Sequence, residues 1–387
     1  MMEKSLKPKI RFRNHFGLWR HRKLFEIGTI IAGNTPSTKI AEYYAKKGLM
    51  WVNILDIKSD ITIDTQKKLS TKGVAVAKVV PANSILCSVV AILGRNTLIL
   101  EKSALNQALT ALTPSKFYDP YFLYIDSFNW TKSMQNLGAG SLFQIVNKTD
   151  FSNITTLVPD LEEQQLIGNF FRKLNRILNT YQAKITKLES IKNILLNKMF
   201  VQPTNQPLIR FKDYNSLWKI NILAELASIK KGEQVNRNDF VKNGKYPVWN
   251  GGIEPSGYYN KFNTEENTIL IAEGGSTGFV NFSKQKFWSG GHNYTLQNVK
   301  LDTYFLFYNL KNQQDFITSL KLGTALTNLQ KHRLSRVFIS FSRDFEEQQK
   351  IAKLFKNIDN LLNLYELKLQ KIEIIKTSLL DKMFIIY

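Results

Sequence analysis

The chain repeats itself, and the repeat constrains the fold more than any other feature. Residues 10–20, IRFRNHFGLWR, return at 209–219 as IRFKDYNSLWK. At a constant offset of 199, Ile10, Arg11, Phe12, Leu18, Trp19, Leu24, Ile30 and Gly33 recur as Ile209, Arg210, Phe211, Leu217, Trp218, Leu223, Ile229 and Gly232. A longer match closes each half. DLEEQQLIGNFFRKLNRILNTYQAKITKLESIKNILLNKMF (160–200) returns as DFEEQQKIAKLFKNIDNLLNLYELKLQKIEIIKTSLLDKMF (344–384) at an offset of 184. The segments between the matched blocks, about 34–158 and 233–341, share little that aligns, and the second is 15 residues shorter. A duplicated frame therefore holds two different inserts.

The matched tails have the period of long helices. Ile167, Phe171, Leu174, Leu178, Tyr181, Ile185, Leu188, Leu195 and Met199 step by four and three, broken only at Lys192. The second copy runs Ile351, Phe355, Ile358, Leu362, Tyr365, Leu369, Ile372, Leu379 and Met383, broken at Lys376. This is a heptad seam sustained over more than four repeats, the condition for a coiled coil. Asp160 and Asp344 are placed as N-caps, with Glu163 and Glu347 three residues on as capping boxes. Pro203 and Pro207 end the first helix. About 40 residues at 1.5 Å each make roughly 60 Å per helix. Neither stripe can be buried alone, and an insert separates the two in sequence, so the expected arrangement is an antiparallel pair. The alternative is two amphipathic helices, each docked on its own domain.

Both inserts read as strand-rich. WVNILDI (51–57), AVAKVV (75–80), SILCSVVAIL (84–93) and TLILE (97–101) are short β-branched runs bounded by Gly, Pro and Asn. YPVWNGGI (246–253), TILIAEGG (268–275), FVNF (279–282) and VFISF (337–341) repeat the style, with helical stretches at 120–135 and 303–320. Polar clusters fall where loops belong. Gly94-Arg95-Asn96, Asn106-Gln107 and Gly138-Ala139-Gly140-Ser141 mark the first insert. Asn250-Gly251-Gly252, Gly274 to Gly278 and Gly290-Gly291-His292-Asn293-Tyr294 mark the second. Arg, Asn and Gln make bidentate contacts to base edges, and glycine lets backbone approach a phosphate; the same residues also simply make turns. The candidate DNA-binding residues are Arg95, Asn96, Asn106, Gln107, Ser141, Gln144, Lys148, Asn250, Ser276, Thr277, His292, Asn293, Tyr294 and Lys331.

Charge bears on the partner. With 53 Lys+Arg against 31 Asp+Glu the formal net charge is +22. That points to a polyanion, although a Lys-, Asn- and Ile-rich composition also arises from AT-rich coding. A single cysteine, Cys87, excludes an internal disulfide and any zinc site built on paired cysteines. No run reaches the ~18 apolar residues of a membrane span, and the basic N-terminus lacks a signal-peptide core; a cytoplasmic protein is expected.

Catalytic motifs are missing. AEGGSTGF lacks the GK[ST] ending of a phosphate loop, LGAGSLF follows a helical stretch instead of a strand, and no Asn-Pro-Pro-aromatic motif occurs. Cys87 reads as a core residue. No metal site is expected.

With these residues in view, the chain resembles the specificity subunit of type I restriction–modification enzymes over its whole length. The likeness rests on the doubled IRF…LW opening, Gly33-Asn34-Thr35-Pro36-Ser37, and Glu162-Glu163-Gln164-Gln165 with Glu346-Glu347-Gln348-Gln349. It rests also on the closing Asn197-Lys198-Met199-Phe200 and Asp381-Lys382-Met383-Phe384, while Asn106-Gln107 and GAGSLFQI resemble positions late in a recognition domain. Gly232-Glu233-Gln234-Val235 departs from the first copy's Thr-Pro-Ser. The resemblance implies an α+β fold: two mixed α/β target-recognition domains separated by a pair of long antiparallel coiled-coil helices. Domain 1 would span 1–158, the central spacer helix 159–202, domain 2 203–342 and the C-terminal spacer helix 343–387. The seam would be formed by Phe171, Leu174, Leu178, Tyr181, Ile185, Leu188, Phe355, Ile358, Leu362, Tyr365, Leu369 and Ile372. It further implies a chain without chemistry of its own, which reads double-stranded DNA and joins two methyltransferase subunits and motor–nuclease subunits. S-adenosylmethionine, ATP and Mg²⁺ would belong to those partners. A protein-binding adaptor without a DNA role and a self-sufficient restriction or modification enzyme remain the alternatives.

Overall fold

The computed structural model describes residues 7–137, 145–200, 206–323 and 327–385. The chain forms two compact units, Met1–Gln182 with Lys368–Tyr387, and Ala183–Leu367. The four segments drawn from the sequence at 158, 202 and 342 follow elements along the chain. The compact units divide it differently, because each takes half of each long helix.

In the first unit, frame strand Arg20–Lys23 pairs antiparallel with Thr155–Val158, the strand that leads into the long helix. The main sheet runs in the order Gly28–Ala32, Leu109–Pro114, Ile85–Ser88, Asn96–Ile99 and Ile61–Thr62. The first three pairings are antiparallel, and the short edge strand Ile61–Thr62 joins in parallel. A second sheet is centred on Leu49–Val52, with antiparallel Lys68–Leu69 on one side and parallel Ser103–Leu105 on the other. Helix Pro120–Leu137 is capped by Asp119, whose Oδ1 accepts from Phe122 N at 2.7 Å.

The second unit repeats the centre of this plan with fewer strands, four in its main sheet against five and three in its second sheet against five. Lys219–Ile222 pairs antiparallel with Phe338–Phe341. Ser228–Lys231, Asn293–Gln297, Thr268–Ala272 and Val280–Ser283 form the main sheet in the same order, all antiparallel. Tyr246–Trp249 takes antiparallel Gly257–Tyr259 and parallel Trp288–Ser289 as neighbours. The duplication thus extends through the inserts that the sequence could not align. Several local expectations fail, among them the run 84–93, whose strand ends at Ser88. Strand 51–57 ends at Val52 and turns into a 3-10 segment, Ile54–Asp56, because Asn53 caps it by accepting from Leu55 N. The stretch 75–80 is divided between helix Thr71–Val76, capped by Ser70, and strand Val79–Val80.

The long helices are Leu161–Met199 and Phe345–Met383. Every named seam residue is buried or half-buried, as are Lys192 and Lys376, and most residues between them are exposed. The packing is antiparallel, as each unit shows by itself. In the first, Phe384 from the end of the second helix stacks on Phe122 at 5.3 Å and lies 6.0 Å from Phe171 near the start of the first helix. In the second, Phe200 from the end of the first helix lies 5.7 Å from Phe355 and 5.2 Å from Phe305. Each frame copy therefore ends by plugging an aromatic core built around the other copy's tryptophan, Trp19 or Trp218.

The capping boxes form only by half. Asp160 Oδ1 accepts from Glu163 N at 2.9 Å, and Asp344 Oδ1 accepts from Glu346 N at 2.9 Å. The glutamates themselves turn to the opening motif: Arg11 donates to both oxygens of Glu163 at 2.8 and 2.6 Å, and Arg210 to both of Glu347 at 2.6 and 2.9 Å. Gln164 Oε1 accepts from Asp119 N and Gln348 Oε1 from Asp302 N, so the glutamines hold the starts of the preceding helices, Pro120–Leu137 and Thr303–Asn312. The repeated sequence motifs are two halves of one buried joint, made twice.

Candidate nucleic-acid interface

The main sheet of each unit leads its loops to one end. In the first unit, strand Ile85–Ser88 leaves the sheet there. Ser88 N bonds to Arg95 O, Val89 N to Ala108 O and Val146 N to Val89 O. Those bonds gather the Arg95, Asn106–Gln107 and 145–148 segments at the same edge. In the second unit, Thr268–Ala272 leaves at the equivalent end. Ser276 N bonds to Gly251 O, Glu273 N to His292 O and Leu329 N to Glu273 O. Asn250, Ser276, Thr277, His292, Asn293, Tyr294 and Lys331 are brought together in this way. Ser141 and Gln144, with the Gly138–Ser141 loop, lie outside the described residues.

A retained glycine holds each loop set against the frame. A Cβ on Gly33 would stand 2.1 Å from Asn106 O, and one on Gly232 would stand 2.2 Å from Gly290 O. Only glycine lets the frame pass the insert loops so closely. Gly33 N donates to Leu109 O and Gly232 N to Asn293 O, both at 2.9 Å.

Side chains within the clusters divide by exposure. Arg95, Gln107, Lys148, His292 and Lys331 are exposed, and Asn106, Asn250 and Ser276 are half-buried. Asn106 Oδ1 accepts from Ala108 N at 2.9 Å, and Asn250 Oδ1 accepts from His292 N at 3.1 Å, which leaves each amide NH₂ directed elsewhere. Four candidates are occupied inside the fold. Asn96 donates to Ser127 O and Oγ and to Thr131 Oγ1. Asn293 Oδ1 accepts from Gly251 N, and Thr277 Oγ1 bonds to Thr327 O. Tyr294 donates to Glu273 Oε1 at 2.9 Å; burial first, and the neighbouring carboxylate second, push the phenol above its ordinary range.

Glu273 and Lys231 were not singled out from sequence. Glu273, nearly inaccessible, is held by Tyr294 and by Lys231 Nζ at 2.7 Å, directly beneath the Gly274–Gly278 loop. A glutamate in a glycine-rich run carries no sequence cue that it faces inward.

Charge follows the same division. The first long helix carries seven basic and three acidic residues, and the second seven and six. Most of the +22 therefore sits outside the helices. Among the described residues one grouping of metal-type donors occurs, His15, Asp160 and Glu163, and there Glu163 is already held by Arg11 and Trp19. No helix among the described residues is long and apolar enough to cross a membrane.

Comparison with known proteins fits this architecture. The family described as type I restriction modification DNA specificity domain matches twice, at residues 17–190 and 215–374. A type I specificity subunit of Mycoplasma genitalium is 35% identical over 160 residues, covering 40% of this chain and 42% of that protein. One from Mycoplasma pneumoniae is 37% identical over 141 residues, covering 36% and 38%. The chain thus spans about two fifths of the length of these two relatives. The EcoprrI specificity subunit of Escherichia coli is 25% identical over 86% of this chain and 85% of its own length. The crystal structure of a type I restriction–modification S subunit from M. genitalium superposes with a TM-score of 0.74 at 19% identity, covering 98% of this chain and 99% of that one. With two copies of its domain filling the duplicated frame, the chain belongs to the type I restriction–modification DNA specificity family.

Proposed function

We propose that this chain is the DNA-reading, non-catalytic specificity subunit of a type I restriction–modification complex. Each recognition domain reads one half of an asymmetric bipartite target, and the helix pair sets the gap between halves. The observation that carries this reading is the doubled loop cluster: one plan of presentation, holding unlike side chains. Arg95, Gln107 and Lys148 stand in the first, and Asn250, Ser276, His292 and Lys331 in the second. Unlike donors and acceptors on equivalent scaffolds select unlike bases. Methyl transfer and ATP-driven cleavage, with S-adenosylmethionine, ATP and Mg²⁺, belong to partner subunits.

The helix surfaces support docking of two identical methyltransferase chains. Lys187, Ile191 and Lys198 step along one exposed face of the first helix, and Lys371, Ile375 and Lys382 occupy the same face of the second. Solvent-exposed identities kept in both copies point to one kind of partner at two equivalent places. The test is equilibrium binding of the full chain to duplex DNA across a salt series. Affinity should fall steeply with added salt, as phosphate contacts require. A flat response would favour the adaptor reading, and methyl transfer by the chain alone with S-adenosylmethionine would favour a self-sufficient enzyme.

A further inference from the structure

Each long helix carries a lysine in its apolar seam, Lys192 and Lys376, at equivalent positions and half-buried in both copies. A buried ammonium is costly unless a carboxylate faces it. In the second unit the helix pair supplies one. Lys192 Nζ lies 2.6 Å from Asp359 Oδ1, and Tyr308 donates its hydroxyl to Asp359 Oδ2 at 2.7 Å. In the first unit the position equivalent to Asp359 is Asn175, which is neutral.

There a carboxylate of the insert, Asp60, reaches the first long helix instead. Asp60 lies in the loop before edge strand Ile61–Thr62, a strand without counterpart in the second unit's main sheet among the described residues. Tyr121 donates to Asp60 Oδ2 at 2.5 Å, and Asn179 of the first long helix donates to Asp60 Oδ1 at 3.4 Å. Asn175 Nδ2 in turn donates to the Tyr121 oxygen at 2.9 Å. The amide at 175 suits this arrangement, because the tyrosine proton is already given to Asp60 and only a lone pair remains. Burial holds the Lys376 ammonium below its ordinary range, while the charges of Asp60 and then Glu373 pull it back.

We propose that Asp60 keys the first recognition insert to the helix frame, filling from the insert the place that Asp359 fills from the helix in the second copy. Asp60 is a positioning residue: its hydrogen bonds tie the insert's edge loop to Asn179 and, through Tyr121, to Asn175, and its charge favours the Lys376 ammonium without a direct ion pair to it. Among the described residues the second insert has no such carboxylate. Exchange of inserts between frames is therefore unequal: the second insert on the first frame leaves Lys376 unmatched, and the first insert on the second frame adds a surplus carboxylate beside Asp359.

The test is a set of substitutions in the full chain, read by thermal midpoint. Asp60→Asn should lower the midpoint of the first unit by about 2–4 °C. Adding Asn175→Asp, which recreates the second copy's arrangement with Tyr121 donating to residue 175, should restore most of the loss. In a Lys376→Met background, Asp60→Asn should cost much less than in the parent, because no buried charge is stranded. The proposal is overturned if Asn175→Asp gives no rescue, or if Asp60→Asn costs the same with and without Lys376.

Discussion

Asp126 and Asn309 occupy equivalent turns of the two recognition domains, and the difference between them is measurable. Asp126 is almost fully buried and accepts from Trp130 Nε1 at 2.7 Å, from Asn129 Nδ2 at 3.0 Å and from Thr156 Oγ1. Burial raises its pKa, and those hydrogen bonds oppose the rise without cancelling it. A carboxyl whose folded pKa is raised binds its proton more tightly in the native state. Its stabilising contribution is full below the ordinary carboxylate range and is lost as pH rises through the elevated value. Asp126→Asn, which copies the second domain, should remove that loss. Thermal midpoints of parent and variant measured from pH 4 to 8 should diverge as pH rises, with the variant above; parallel curves would refute the assignment. At the frame joint, Glu163→Ala and Glu347→Ala should each cost about 3–5 kcal/mol, since each leaves a half-buried guanidinium without its carboxylate, held only by a backbone carbonyl. Glu163→Ala should be the worse of the two in denaturant melts, because Trp19 Nε1 also donates to Glu163 at 3.2 Å. Both ends of this joint were visible in the sequence as repeated residues. Their partnership was not, since 152 positions separate Arg11 from Glu163. Asn96 and Asn293 show the opposite limit: asparagine close to glycine reads as a loop residue with a free amide, but each opens a strand whose pleat turns it inward.

At the scale of elements, the helices were legible and the sheets were not. A heptad seam is set by the chain's own period, so Ile167 to Met199 could be read without knowing the partner. Strand pairing depends on which residues alternate inward, and many unrelated sequences satisfy one pattern. The four strands common to the two main sheets therefore share order and direction while their sequences fail to align. The capping glutamates misled for a related reason: the Asp-x-x-Glu spacing is local, and the arginine that claims the glutamate is not. Leu178→Asp and Leu362→Asp place a charge in the half-buried seam and should each cost about 2–4 kcal/mol. Assembly with partner subunits should fail before base preference changes. A stable variant with altered base preference would show that the seam reads DNA.

For the whole molecule, charge and length took on meaning only together with the repeat. A surplus of +22 could come from composition alone. With the helices carrying only +4 and +1 of it, most of the surplus lies on the domains, where phosphate contacts are proposed. Spacing belongs to this scale too. Four residues inserted within 175–195 add about one turn and ~6 Å to the first helix. The expected result is a target with unchanged half-sites and a longer gap; changed half-site bases with an unchanged gap would contradict the spacer role. The central claim, two unlike readers on one duplicated frame, is tested most directly by mapping methylated bases in DNA exposed to the chain together with its methyltransferase partner. The account predicts one bipartite target with two different half-sites and a fixed gap. A palindromic target, identical halves or a single uninterrupted site would contradict it.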